Sequence, residues 1–362
     1  MRLVLNLSEW KFLQVVSALL SSLAAVSLFT VLVGFVLLPA DIKTIRQPLY
    51  ASIIHCHLSP DSQQAVSLIW YMPFSTAAGW QHQFVRHGLA GERPELQMPW
   101  PQLRPSSAAP GKSPDELFVG CWDGRLWKLD LSQSGAAPQQ LGKHPELGPH
   151  SLACSRDGRW LASLGPKFLQ VLDLASGKVA WSLDREMPRC FAIHPDSRRM
   201  LVNLADARVV ELELATGEAL RTIAAPCESA THASFSPDGR LAVLVSAVGG
   251  LHLLNWETGL SAWPADWRDC PHQFRSCVAQ FSPSGDRLIT GGGDTSTLAV
   301  WNLRTMRLEG ELRGHAKSIN GVTFLDEQRV CSFSADGTIR IWDLAGRSPP
   351  RVLTIDVTPL AG

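Results

Sequence analysis

The sequence has no surplus of either charge, since its 362 residues include 33 basic and 33 acidic side chains. Proteins that bind the phosphate backbone of nucleic acids usually carry an excess of Lys and Arg. Nucleic acid is therefore not an expected partner of this chain.

The sequence also lacks the motifs that mark common catalytic and cofactor sites. It has no Cys-x-x-Cys pair, nucleophile elbow, His-Glu-x-x-His pair or Walker sequence. The glycine run at 291–293 lacks the Lys-Ser/Thr ending of a phosphate loop. His55 and His57 would share one face of a strand, but no third metal ligand can be named. We therefore expect no cofactor, no metal site and no catalysis.

Charged residues are absent from Phe12 to Ala40, a stretch rich in Leu, Val, Ala and Phe. A membrane-spanning helix needs about 20 apolar residues, whereas a signal-peptide core has about 7 to 15. We predict a short flank at 1–11 and a transmembrane helix at 12–40; a buried helix or an uncleaved export signal are the alternatives. Arg2 and Lys11 precede the span, and the basic residues lean slightly towards an extracytoplasmic location for the remainder.

All eight cysteines follow residue 40, so that location would permit disulfides. Cys121, Cys154 and Cys331 nevertheless lie in apparent strands, where a thiol behaves as a small apolar residue. We expect these three to be packing residues, and the redox state of the eight stays open.

A repeat fills most of the chain after residue 115. Tight turns recur as Ser155–Gly158, His194–Ser197, Ser236–Gly239 and Ser282–Gly285, each with Pro or Asp early and Gly or Ser late. Similar strand ends recur at intervals of about 40 to 47 residues, which is the period of propeller blades. A four-stranded sheet of this length cannot cover both of its faces alone, and a closed ring of such sheets covers them all. The predicted fold is an all-β propeller at 41–357 with a tail at 358–362.

One repeat resembles the WD-repeat family in detail. Gly314-His315, Ser332, Asp336 and Trp342-Asp343 follow the order of the family signature, in which His, Ser, Asp and Trp form a hydrogen-bonded chain. The preceding repeat matches in part; its corresponding residues are His272, Thr290, Asp294 and Trp301. The resemblance implies two structural tetrads, because buried networks of this kind stabilise a fold when every member is satisfied.

The resemblance also bears on the number of blades. Six repeats have the turns and spacing of a blade, and a seventh begins with strands near Ser52–Leu58 and Gln64–Tyr71. The Pro, Gly and Ser content of 87–115 predicts an exposed loop there. Seven is the commonest number in the family, so we expect about seven four-stranded blades. Arg351 to Val357 is expected to be the outer strand of the last blade.

For function, the resemblance implies a scaffold that binds a protein partner through loops on one face of the ring. Exposed aromatic and Arg side chains are the expected contacts, namely Trp267, Arg268 and Trp122. The alternative is a propeller enzyme or a binder of small ligands or metal with its site in the central channel. Phrases such as Phe-Ser-Pro-Asp-Gly-Arg-Leu at 235–241 resemble bacterial members, so the predicted protein is a membrane-tethered bacterial scaffold.

Overall fold

The computed structural model describes an all-β chain. It describes backbone strands at 50–58, 64–72, 81–88 and 94–98, and the chain at 103–113, 115–132, 137–223, 230–246, 251–260, 262, 278–291 and 296–354. These residues form seven antiparallel sheets, six with four strands and one with three.

Each sheet is one blade, and its strands follow one another in the chain from the inner edge to the outer edge. Blades 1 and 2 consist of β1 (Tyr50–Leu58), β2 (Gln64–Met72), β3 (Gln81–Gly88) and β4 (Pro94–Met98), then β5 (Pro105–Pro110), β6 (Glu116–Cys121), β7 (Arg125–Asp130) and β8 (Gln139–Lys143). Blades 3 and 4 consist of β9 (Ser151–Cys154), β10 (Trp160–Leu164), β11 (Leu169–Asp173) and β12 (Lys178–Leu183), then β13 (Pro188–Ile193), β14 (Arg199–Leu204), β15 (Val209–Glu213) and β16 (Ala219–Ile223). Blade 5 has β17 (Ala230–Phe235), β18 (Leu241–Ser246) and β19 (Leu251–Asn255). Blades 6 and 7 consist of β20 (Val278–Phe281), β21 (Arg287–Gly291), β22 (Thr297–Asn302) and β23 (Arg307–Arg313), then β24 (Ile319–Phe324), β25 (Arg329–Ser334), β26 (Thr338–Asp343) and β27 (Arg351–Thr354).

The seven blades close into a ring. The inner strand of each blade contacts the inner strand of the next, and β1 contacts both β5 and β24. The outer strand β27 pairs with β26 of its own blade, as the sequence predicts, so closure exchanges no strand between blades 1 and 7. A closed ring leaves only short outer strands as free edges.

Both faces of a blade are apolar, which β14 illustrates. Met200, Val202 and Leu204 pack with blade 3, whereas the intervening Leu201 packs with blade 5. Successive side chains of a strand point to opposite faces of its sheet, so one run of apolar residues builds two cores. Full burial of such a side chain stabilises the fold by roughly 1.5 to 3 kcal/mol.

The recurring turns join the first and second strands of blades 3 to 6. In blade 5 the Ser236 hydroxyl donates to Asp238 at 2.6 Å and accepts the Leu241 amide at 2.9 Å. The last turn residue has a positive φ of 75° at Gly239, a conformation that favours glycine. Ser197 adopts φ 59° at this position in blade 4, and its hydroxyl accepts the Asp157 amide of blade 3 at 3.1 Å.

Outer strands also bind the next blade. The Trp181 indole of blade 3 donates to the Leu214 carbonyl of blade 4 at 2.8 Å. Arg221 occupies the matching place in blade 4 and donates to the Trp256 and Glu257 carbonyls of blade 5. The buried Glu211 carboxylate accepts from Arg221 and from the Trp256 indole. Two different side chains therefore perform the same inter-blade role.

One feature differs from expectation. Residues 87–115, expected to be a loop, contain β4 and β5, because strand pairing overrides a Pro-rich composition when the prolines fall at strand ends such as Pro94, Pro105 and Pro110. For blade 5 the structure describes three strands, and the expected fourth strand falls mostly on residues outside the described ranges. At residue 262, the Ala262 amide donates to the Leu253 carbonyl at 2.8 Å. In the described ranges no helix is long and apolar enough to cross a bilayer, and the predicted span at 12–40 lies outside them.

Candidate interaction surface

The strand order gives the ring two distinct faces. We define the upper face by the turns between the second and third strands of each blade and by the connections from blade to blade. The lower face carries the turns between first and second strands and between third and fourth strands. Every blade follows the same strand order, so this assignment holds around the ring.

Trp122 lies on the upper face, in the turn between β6 and β7, and 49% of it is exposed. Its backbone amide donates to the Arg104 carbonyl at 2.7 Å. Its ring lies against Gly148, where a Cβ atom would stand 2.8 Å from the ring. The neighbouring Leu147 is 69% exposed, so the two side chains form one apolar patch.

The connection that carries Leu147 is held by His144, whose side chain is buried. The His144 Nδ1 accepts the Glu146 amide at 3.2 Å, and its Nε2 lies 3.1 Å from the Phe168 carbonyl, to which it donates. The Glu146 carboxylate accepts the Lys167 amide at 2.9 Å. This connection is thus fastened to the upper turn of blade 3 and presents Leu147 from a defined position.

Met187 is a further exposed apolar side chain, on the next connection, between blades 3 and 4. It is 37% exposed and adopts a positive φ of 48°, which is unusual for a residue other than glycine. Such a conformation persists only where the surroundings impose it.

The predicted contacts Trp267 and Arg268 lie outside the described residues. Of the three expected partner contacts, the structure therefore places Trp122 alone, and it places this side chain on an exposed turn.

The structure brings the four tetrad residues of blade 7 together. His315 Nδ1 donates to the Asp336 carboxylate at 2.9 Å, and its Nε2 accepts from the Ser332 hydroxyl at 2.8 Å. The Trp342 indole in turn donates to the Ser332 hydroxyl at 2.8 Å. The chain of bonds joins the connection before β24 to β25, to β26 and to the turn between them.

Blade 6 shows part of the second tetrad. The Trp301 indole donates to the Thr290 hydroxyl at 3.1 Å, matching the bond between Trp342 and Ser332. His272 and Asp294 lie outside the described residues.

Burial sets the electrostatics of the blade 7 tetrad. Burial lowers the pKa of His315, against the opposing pull of the Asp336 carboxylate. Burial alone would raise the pKa of Asp336, but hydrogen bonds from Thr338, Ala316 and His315 outweigh it and lower that pKa to about 2. At neutral pH the pair is therefore a neutral imidazole donating to a carboxylate.

Among the described residues, the cavity bounded by the inner strands of blades 3 to 5 has no charged side chain in its lining. This cavity of about 310 Å³ lies among β9, β13 and β17, where Thr231, His232 and Ser234 supply polar atoms. The seven inner strands contain no Asp or Glu. In the described part of the chain no cluster of three or more His, Cys, Asp or Glu could hold a metal ion.

The thiols of Cys121 and Cys154 are poor nucleophiles at neutral pH. Burial raises the pKa of Cys121 and of the half-buried Cys154 to about 12, so both stay protonated at neutral pH. Cys331 is buried within blade 7. All three act as packing residues.

Sequence reasoning missed several residues of this region. Gly142-Lys143-His144 resembles a weak Gly-His signal before blade 3, and it could have drawn attention to His144. Leu147 and Met187 have no comparable signal, because an isolated apolar residue in a connection does not reveal its exposure.

Two stretches of this chain match a known family of repeats. The family model for "WD domain, G-beta repeat" matches residues 271–302 and 306–343, which belong to blades 6 and 7 and the connections before them. Telomerase protein component 1 of Rattus norvegicus is 28% identical over 117 residues, covering 31% of this chain and 4% of that protein.

Two further relatives align over longer stretches. The WD repeat-containing protein 55 homolog of Dictyostelium discoideum is 23% identical over 168 residues, covering 45% of this chain and 39% of that protein. Actin-interacting protein 1 of Caenorhabditis elegans is 25% identical over 244 residues, covering 64% of this chain and 38% of that protein. This chain spans well under two thirds of the length of each relative. Together with the fold, these matches show that the chain is a β-propeller containing WD40 repeats.

Proposed function

We propose that this protein is a scaffold for protein partners that is tethered to a membrane through residues 12–40 and performs no catalysis. The observation that carries the proposal is the closed ring itself, whose cores lie between blades and whose tetrad is satisfied within blade 7. A rigid ring presents its turns in fixed positions, which reduces the entropy lost when a partner binds. Actin-interacting protein 1, one of the relatives of this chain, is named for an interaction with another protein.

The alternative, an enzyme or metal binder with a site in the channel, has less support. A site of that kind needs carboxylates or several His side chains from different blades to converge. The inner strands contain no Asp or Glu, and burial raises the pKa of the Cys154 thiol to about 12, so this thiol is protonated at neutral pH. Metal analysis of the purified full chain should accordingly find no stoichiometric metal, and a stoichiometric metal would favour the alternative.

Site-specific photocrosslinking in cells tests the scaffold. A benzoylphenylalanine probe is placed at Trp122 on the upper face, at Arg198 and Arg240 on the lower face, and at the exposed Val179 of outer strand β12 as a control. We expect probes on at least one face to give a discrete protein adduct that the β12 probe does not give. Absence of a protein adduct at every position would contradict the scaffold.

The tether has its own test, because flotation of the full chain with membranes depends on 12–40 and not on a partner. A full chain with several of its apolar residues in 12–40 replaced by Asp should remain at the bottom of the gradient.

A bacterial source and an extracytoplasmic propeller stay predictions from the sequence. A reporter fused after Gly362 and active on one side of the membrane tests the second.

A further inference from the structure

The direction of the first inner strand determines which face of the ring is nearest to the tether. β1 runs from Tyr50 to Leu58 and is followed by the connection to β2, which belongs to the lower face. Tyr50 therefore lies at the upper end of β1. The chain enters the ring from the upper face.

The connection between the predicted span and the ring is short. Residues 41–49 separate the span from Tyr50. Nine residues reach at most about 30 Å when fully extended, so the upper end of β1 cannot lie farther than that from the end of the predicted span. A tether of this length holds the upper face towards the bilayer.

The upper face carries side chains suited to a lipid surface. Trp122, Leu147 and Met187 are exposed there on turns and connections, whereas most other exposed large apolar side chains of the described residues lie on outer strands. Trp prefers the interface between water and lipid, because its ring is apolar and its N–H is polar. Leu and Met add apolar area beside it.

The charges around this patch favour an anionic membrane. The exposed cations on the connections and strand ends beside it are Arg104, Lys143, Lys167, Arg185 and Arg189. Most carboxylates there are paired with arginines: Asp123 with Arg125 at 2.6 Å, and Asp206 with Arg208 at 2.6 Å. Glu186 lies 3.7 Å from Arg208. The half-buried Glu146 accepts the Lys167 backbone amide, and the exposed Asp184 is the other carboxylate there. Basic side chains near an apolar patch strengthen binding to anionic lipids.

We propose that the upper face of blades 2 to 4 rests on the bilayer surface, with Trp122, Leu147 and Met187 in contact with lipid. The proposal rests on the tether proposed above. It makes Trp122 a lipid contact rather than a partner contact, and it leaves the lower face to protein partners.

Photocrosslinking with mass spectrometry tests this contact in the full chain, reconstituted in vesicles of phosphatidylcholine and phosphatidylglycerol. Benzoylphenylalanine replaces Trp122, Leu147 or Met187 in turn. Leu220 and Val352 are the matched controls, since they are 52% and 44% exposed but lie on outer strands. We expect lipid adducts at the three upper positions and a several-fold lower yield at both controls.

The outcomes separate the two proposals. If the chain floats with the vesicles but the upper positions give no more lipid adduct than the controls, the tether stands and the lipid contact is wrong. Protein adducts at the upper positions in native membranes, without lipid adducts, would assign this face to a partner and also overturn the contact. If the chain does not float, the tether and the contact both fail.

Discussion

At the scale of residues, the Ser332 hydroxyl is the centre of the blade 7 tetrad. It donates to His315 and accepts from Trp342, each at 2.8 Å, and it is fully buried. A buried polar group that loses its partner costs free energy, because water cannot replace the lost bond.

We expect Ser332→Ala to lower the free energy of unfolding by about 1 to 3 kcal/mol, since two buried nitrogens lose their hydrogen-bond partner. Urea denaturation of the full chain in detergent measures the change. Ser182→Ala is the control, because Ser182 is exposed on β12 and its substitution should leave the stability almost unchanged. Equal effects of the two substitutions would contradict the role of the tetrad.

The lowered pKa of His315 predicts a pH dependence. The unfolded chain takes up a proton at His315 as the pH falls through 6.5, while the folded chain resists protonation. The contribution of the neutral His315 to the free energy of unfolding is therefore fully present above pH 6.5 and is lost as the pH falls below 6.5. Burial also lowers the pKa of His232 and His252, so part of the loss is independent of His315.

Denaturation of the wild type between pH 7 and pH 5 should show this loss of stability. The variant His315→Gln should start less stable and lose less over the same range. A variant with the same slope as the wild type would show that His315 does not contribute to it.

At the scale of elements, the turns between first and second strands depend on a residue with positive φ. Gly239 has a φ of 75° and Gly285 a φ of 80° at the matching position of the next blade. A Cβ atom at Gly239 would collide with the His194 imidazole, whereas at Gly285 it would stand 3.7 Å from Pro237. The two turns have the same backbone and different surroundings.

We expect Gly285→Ala to cost roughly 1 to 2 kcal/mol for the left-handed backbone. Gly239→Ala should cost at least about 1 kcal/mol more, because it also displaces His194. Thermal or chemical denaturation compares the two variants. The double variant His194→Ala, Gly239→Ala should cost less than the sum of its two single variants, and simple additivity would show that there is no collision.

At the scale of the whole molecule, stability depends on the closure of the ring. Blade 6 buries Ile289, Leu298 and Val300 against Val322, Phe324 and Trp342 of blade 7. Removing one blade exposes apolar faces on both of its neighbours, and exposed faces of this size associate.

A chain ending at Arg313 lacks blade 7, and we expect it to aggregate and to bind a hydrophobic dye. A chain ending at Thr354 keeps β27 and should behave as the full chain does. Size-exclusion chromatography and dye fluorescence report the difference. A monomeric truncated chain with cooperative unfolding would show that closure is not required.

The sequence by itself determined the class of fold, the blade period and the members of the blade 7 tetrad. Turn residues, alternating strands and the His-Ser-Asp-Trp order are local signals, and each can be read within a single repeat. The same signals failed at 87–115, where pairing of β4 with β3 and of β5 with β6 decides the outcome despite the Pro-rich composition.

Only the tertiary structure decided how the blades meet and what they expose. The Trp181 and Arg221 bonds to the following blade have no common sequence pattern, because an indole and a guanidinium satisfy the same carbonyl position. Exposure of Trp122, Leu147 and Met187 depends on what packs around each turn. These three side chains lie on the upper face, where β1 begins. The start of β1 and the three side chains share a face only once the ring has closed, because they belong to different blades.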